Sequence, residues 1–98
     1  MILYQANPEI VYRPEGRDGA ILFDPDSSAV QVLNLTGAFI WERLDGTRTL
    51  ESIGDELATA FDEVPGDATV VAAEVEAFVR ALVQLGFAAP ATPVGATP

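Results

Sequence analysis

A chain of 98 residues has room for one hydrophobic core and no second. Five Lys plus Arg against 15 Asp plus Glu leave a formal charge of -10, which repels phosphate backbones and excludes nucleic acid as an expected partner. With no Cys and no His there is no disulfide, zinc-finger site, thiol nucleophile or imidazole base, yet a hydrophobic fraction of 49% supports a packed core.

The opening MILYQANPE has neither the basic n-region nor the apolar h-region of a signal peptide. No stretch approaches the roughly 20 apolar residues that a bilayer span needs. A cytoplasmic protein without a membrane partner is expected.

The first third predicts three strands. Residues 9–13, Glu-Ile-Val-Tyr-Arg, are β-branched and aromatic, and Pro8 and Pro14 bracket them, which suits an edge strand. A loop over residues 15–19 carries Gly16 and Gly19 and leads into a second strand, Ala20, Ile21, Leu22 and Phe23. The run Asp24-Pro25-Asp26-Ser27-Ser28 predicts a turn, and residues 29–33 a third strand. Short links make an antiparallel meander the simplest arrangement, with strands one and three at its edges.

From Asn34 the period changes. Asn34 caps a helix with apolar positions Gly37, Ile40, Trp41 and Leu44, ended by Asp45-Gly46. Thr49 caps a second, with Leu50, Ile53, Leu57 and Phe61 in one stripe and Glu51 favouring its N-terminus. Residues 62–67, with Pro65-Gly66, break the helix and supply Asp67 as the next cap. In the third helix Val71, Val75, Phe78, Leu82 and Leu85 form a seam widened by Val79 and Val83, and Gly86 stops it. Residues 88–98 hold three of the seven prolines and are expected to be a disordered tail after a single domain over 1–87. The expected fold class is α+β: a winged helix-turn-helix in which a three-stranded antiparallel sheet precedes three helices.

Little here can carry catalysis. Ser27, Ser28 and Ser52 have no His to activate them. Asp24 and Asp26 flank a turn proline, and Glu74 and Glu76 stand two apart on a helix, where side chains do not face each other. Gly37, Gly46 and Gly54 follow no phosphate-binding spacing. Neither an enzyme, a metal nor a cofactor is expected. The third helix presents Glu74 and Glu76 against Arg80, which does not suit a DNA groove.

Strand three is the informative feature. Strand one is blunted by two prolines and two charges, whereas Ala29, Val30, Gln31, Val32 and Leu33 carry neither. An added peptide strand would find backbone partners there, with the third helix as a groove wall. The edge can equally be covered by the chain's own tail or by a homodimer mate, and the wide helical stripe can be plain core.

The run Leu33-Asn34-Leu35-Thr36-Gly37-Ala38-Phe39-Ile40-Trp41-Glu42-Arg43-Leu44-Asp45-Gly46, followed by Arg48-Thr49-Leu50 and Ile53, resembles the PqqD family of small peptide chaperones. The family pattern is L-N-x-T-G, an aliphatic-aromatic pair, L-x-D-G and a Thr-led helix. The likeness extends from Arg13-Pro14 and Phe23-Asp24-Pro25 to the Val79 to Gly86 end of the third helix. It implies a RiPP recognition element, a non-catalytic module that binds the leader of a ribosomally made precursor peptide. Such a module presents its peptide to a modifying enzyme, often a radical SAM enzyme, in PQQ-type or other pathways; lasso-peptide leader-binding proteins share the layout. The resemblance implies peptide pairing along Ala29, Val30, Gln31, Val32 and Leu33, with Val71, Val75, Phe78, Val79 and Leu82 as wall residues. The acidic surface favours a basic leader or a basic docking face on the enzyme.

Overall fold

A computed structural model describes residues 3–61 and 68–91. The predicted meander is present as β2 (Val11–Pro14), β3 (Ala20–Phe23) and β4 (Val30–Leu33), in the order β2-β3-β4 with both pairings antiparallel. Pro14 sits on the outer strand, where a missing N–H is tolerated. A 3-10 turn over Gly16–Asp18 links β2 to β3.

Gly19 is the hinge of this sheet. It adopts φ +98°, and a Cβ there would lie 1.9 Å from the Leu33 carbonyl oxygen and 2.8 Å from the Asn34 carbonyl carbon. Only glycine permits both the backbone conformation and the close passage of the chain leaving β4.

A second sheet was not expected from the sequence. It has the order β5-β1-β6, built from β1 (Leu3–Ala6), β5 (Asp45–Thr49) and β6 (Ala88–Pro90). β1 lies antiparallel to both neighbours, with Tyr4 opposite Pro90 and Leu3 opposite Thr49. The Asn7 N–H donates to the Phe87 carbonyl at 2.9 Å and the Ala6 N–H to that of Leu44 at 2.7 Å. Two sequence expectations are thereby corrected. The tail does not begin at residue 88, because Ala88 to Pro90 pair with β1 and Ala88 is buried. Nor is Asp45-Gly46 a tight turn between helices, because both residues open β5, where β1 offers hydrogen-bonding partners. The sheet expected to stand alone ahead of the helices thus has a companion.

The helices are α1 (Leu35–Glu42), α2 (Leu50–Ala60) and α3 (Ala68–Gln84). Asn34 Oδ1 accepts from the Gly37 N–H at 2.8 Å, and Thr49 Oγ1 accepts from the Ser52 N–H at 3.0 Å, so both predicted caps satisfy orphan donors. α1 ends at Glu42, where the Arg43 and Leu44 N–H groups bond back to Ile40 and Trp41, and buried Leu44 anchors the exit. Gly86, at φ +82°, follows α3. The predicted break and Asp67 cap within 62–67, and the tail beyond residue 91, lie outside the described residues.

The core sits where the three helices meet the inner face of the first sheet and include Leu22, Leu33, Trp41, Ile53, Leu57, Val75, Val79, Leu82 and Phe87. Leu85, predicted to extend the α3 seam, is instead exposed. Ionic contacts join α1, β5 and α2. Arg48 reaches Asp45 at 2.6 Å and Glu56 at 3.1 Å, while Arg43 meets Glu56 at 3.4 Å and stacks on the Phe39 ring. The Thr47 hydroxyl, followed by the Thr47 N–H and the nearby Arg48, holds the Asp45 carboxyl below the usual carboxylate range. No helix among the described residues is long and apolar enough to cross a membrane.

Tyr12 ties β2 to α1 by donating its hydroxyl proton to Glu42 beside the Trp41 ring. Burial, and then the Glu42 bond and charge, push the Tyr12 hydroxyl up from 10.0 to about 12. The neutral form is therefore favoured by folding. Its contribution is intact below pH about 10 and disappears as pH rises towards 12. Thermal unfolding between these limits should show a steeper loss of Tm for the native chain than for Tyr12→Phe. Gly19→Ala is expected to cost more than the roughly 1–3 kcal/mol of strain at a left-handed position, because its Cβ also collides with the Leu33 carbonyl. That loss would lower Tm by several degrees in a calorimetric scan of a chain this size.

Candidate functional site

The register of β4 decides which of its atoms are free. Ala20 faces Leu33, Ile21 faces Val32, Leu22 faces Gln31 and Phe23 faces Val30. The Asp24 N–H donates to the Ala29 carbonyl at 2.9 Å. Antiparallel pairs alternate between bonded and non-bonded, so Gln31 and Leu33 turn their N–H and C=O groups towards β3. Val30 and Val32 turn theirs outward. No other strand among the described residues takes that side, and β6, the described part of the tail, pairs with β1.

Side chains follow the same alternation. Val30 is 57% and Val32 69% exposed on the outer face, beside Phe23, whereas Leu33 is 2% exposed and points into the core. Gln31 and Ala29 are half-buried. All five predicted strand residues therefore line one edge in three different environments.

The predicted wall divides more sharply. Phe78 is half-buried and lines a shallow cleft of about 460 Å³ with Asp18, Val32, Leu33 and Asn34. On the other side of Phe78 and Asn34 lies a narrower cavity of about 160 Å³, with Ile40, Leu57 and Val75 among its lining. Val71, Val79 and Leu82 are no more than 2% exposed and belong to the core. Neither of these two cavities is lined by them, whereas Phe78 and Glu74, four apart on α3, both line the second.

Asn34, Thr36, Gly37 and Glu74 also line the site and were missed. The sequence marks Asn34 only as a helix cap. The same cap places it between the two cavities: its Oδ1 accepts from the Gly37 N–H and from the Thr36 hydroxyl at 2.9 Å. A Cβ on Gly37 would meet the Phe78 ring at 3.3 Å, so its hydrogen lets the ring lie against α1. An available signal was the Asn34-x-Thr36-Gly37 run directly after the open strand. The arrangement offers an extended chain a main-chain ladder and two places for side chains.

Residues 19–88 match the family model described as Coenzyme PQQ synthesis protein D (PqqD). A solved structure titled "Lasso peptide synthetase B1 complexed with the leader peptide" is similar, with 26% identity and a TM-score of 0.74, covering 89% of this chain and 98% of that chain. A second, "TbiB1 in Complex with the TbiA(beta) Leader Peptide", has 20% identity and a TM-score of 0.72 over 96% of this chain and 99% of that chain; it shares the fold. No curated protein matches the chain.

Asn34→Ala removes the cap and should cost about 0.5–2 kcal/mol. In an NMR spectrum the largest amide changes should fall at Thr36 and Gly37, with Thr49 and Ser52 at the next cap unmoved.

Proposed function

The chain belongs to the PqqD family, and from that premise we propose that it is a non-catalytic chaperone which binds the leader of a ribosomally made precursor peptide. The leader adds as a strand to β4 and is presented to a modifying enzyme in the cytoplasm. The observation that carries the reading is the outward-facing main-chain rim of Val30 and Val32, unpaired among the described residues, beside the Phe78 cleft. It is supported by a similar lasso synthetase B1 chain whose structure is described as complexed with a leader peptide.

Magnitudes assign different tasks to backbone and side chains. Val30 and Val32 offer two donors and two acceptors, and at about 0.5–1.5 kcal/mol net per bond they contribute roughly 2–6 kcal/mol. Association costs about 4–15 kcal/mol in lost freedom. The ladder alone does not hold a peptide. Two or three buried leader side chains, at about 1.5–3 kcal/mol each, turn the balance favourable. Pairing thus sets the register and direction, while the cavities around Phe78 set strength and selectivity. Ala29, Gln31 and Leu33 act by holding the rim in place, and Val75 by flooring the second cavity.

Chemistry is left to the partner enzyme, since a chain without Cys or His supplies no thiol nucleophile or imidazole base. A radical SAM enzyme suits the PQQ-type reading. The likeness to a lasso synthetase B1 chain over 98% of that chain's length favours a lasso-type pathway as the narrower assignment. A homodimer through β4 is the competing use of the same rim, and it would exclude the leader.

Val32→Pro deletes an outward N–H and is tolerated by an edge strand. It should weaken leader binding about tenfold or more, equivalent to about 1.4 kcal/mol, while the circular dichroism spectrum stays native. Gln31→Pro, whose N–H is internal, should instead destabilise the sheet. Undiminished titration of a leader peptide by folded Val32→Pro would refute strand addition, and a concentration-dependent mass of two chains abolished by the same change would assign the rim to dimerisation.

A further inference from the structure

The narrower cavity beyond Phe78 has a chemistry distinct from the first cleft. Its floor is apolar, formed by Ile40, Leu57 and Val75, and the Glu74 carboxylate joins the lining. Glu74 and Phe78 are i and i+4 on α3, so one face of one helix presents both a ring and a charge to the same space. The Asn34 Oδ1 and the Thr36 hydroxyl proton are engaged in the cap. Glu74 makes no hydrogen bond or ion pair among the described residues.

The chain's own cations do not answer that charge. Arg13 meets Glu15, Arg43 and Arg48 share Glu56, Arg80 meets Glu76, and Arg17, in the 3-10 turn before β3, makes no ion pair with Glu74 among the described residues. There is no Lys anywhere in the sequence. We propose that this cavity is a subsite selecting a basic side chain of the bound peptide, with Glu74 as the selecting group; this rests on the strand-addition reading above. A Lys or Arg lays its methylene stem along Ile40, Leu57 and Val75 and brings its cationic head to the carboxylate. A Leu fills the same floor but leaves Glu74 partly desolvated without a partner. An acidic side chain is repelled. The overall charge of -10 draws basic peptides towards the whole surface, whereas Glu74 confines the preference to one position along the strand.

The test uses the full chain and N-acetylated, fluorescein-labelled nonapeptides of alternating Thr and Val, scanned position by position with Lys, Leu or Glu. Anisotropy titrations compare the native protein with Glu74→Gln and Glu74→Lys, both at an exposed helical position and both checked for native circular dichroism. At one scanned position Lys should bind the native chain about two- to fivefold more tightly than Leu, as a partly exposed ion pair allows. The preference should vanish in Glu74→Gln, invert towards Glu in Glu74→Lys, and fade as NaCl rises from about 0.05 to 0.5 M. Peptides that bind all three proteins with one unchanged order of preference would overturn the subsite while leaving strand addition standing. If no peptide in the series binds, or if binding survives Val32→Pro, the strand-addition reading fails and the subsite fails with it.

Discussion

The pairing of β4 with β3 is the constraint on which the site depends. Because Gln31 and Leu33 spend their main-chain groups on β3, Val30 and Val32 are left with theirs directed outward. A slip of one residue would bury the exposed valines and expel Leu33 from the core, which ties the outward-facing rim to the packing of the whole domain. Gly19 belongs to the same constraint, because a side chain there would collide with the Leu33 carbonyl. Edge, core and turn specify one another.

The second sheet acts at a distance from the rim and serves a different end. β1 holds β5 on one side and β6 on the other, joining both ends of the described chain to the segment between α1 and α2. Arg48, Glu56 and Arg43 continue that tie across to the helices. Such exposed ion pairs contribute modestly one by one; the burial of Leu44, Phe87 and Ala88 contributes more. It also holds Ala88 to Pro90 on β1.

Much of the site was legible and part of it was not. The uncharged, proline-free run from Ala29 to Leu33 announced an edge, and Asn34 announced a cap; both are local properties of short segments. The wall residues were harder because a helical seam and a groove wall share one period. Val71, Val75, Val79 and Leu82 are all apolar and correctly spaced, yet three of them are pure core, Val75 floors a cavity and Phe78 alone of the predicted wall is half open. Glu74 was read as one of two surface charges, since nothing in a sequence says which side of a helix meets a cavity.

By itself the sequence determined the class of fold, the three-stranded meander, the Asn34 and Thr49 helix caps and the absence of thiol and imidazole chemistry, because each follows from composition, short-range sterics or neighbouring hydrogen bonds. Tertiary structure alone decided that β1, β5 and β6 form a sheet, since their partners lie far apart along the chain, with Leu3 opposite Thr49 and Tyr4 opposite Pro90, and no short link announces the pairing. It also decided which α3 residues face the cavities beside β4, because burial depends on where α2 and the sheets lie, and that is a property of the packed domain.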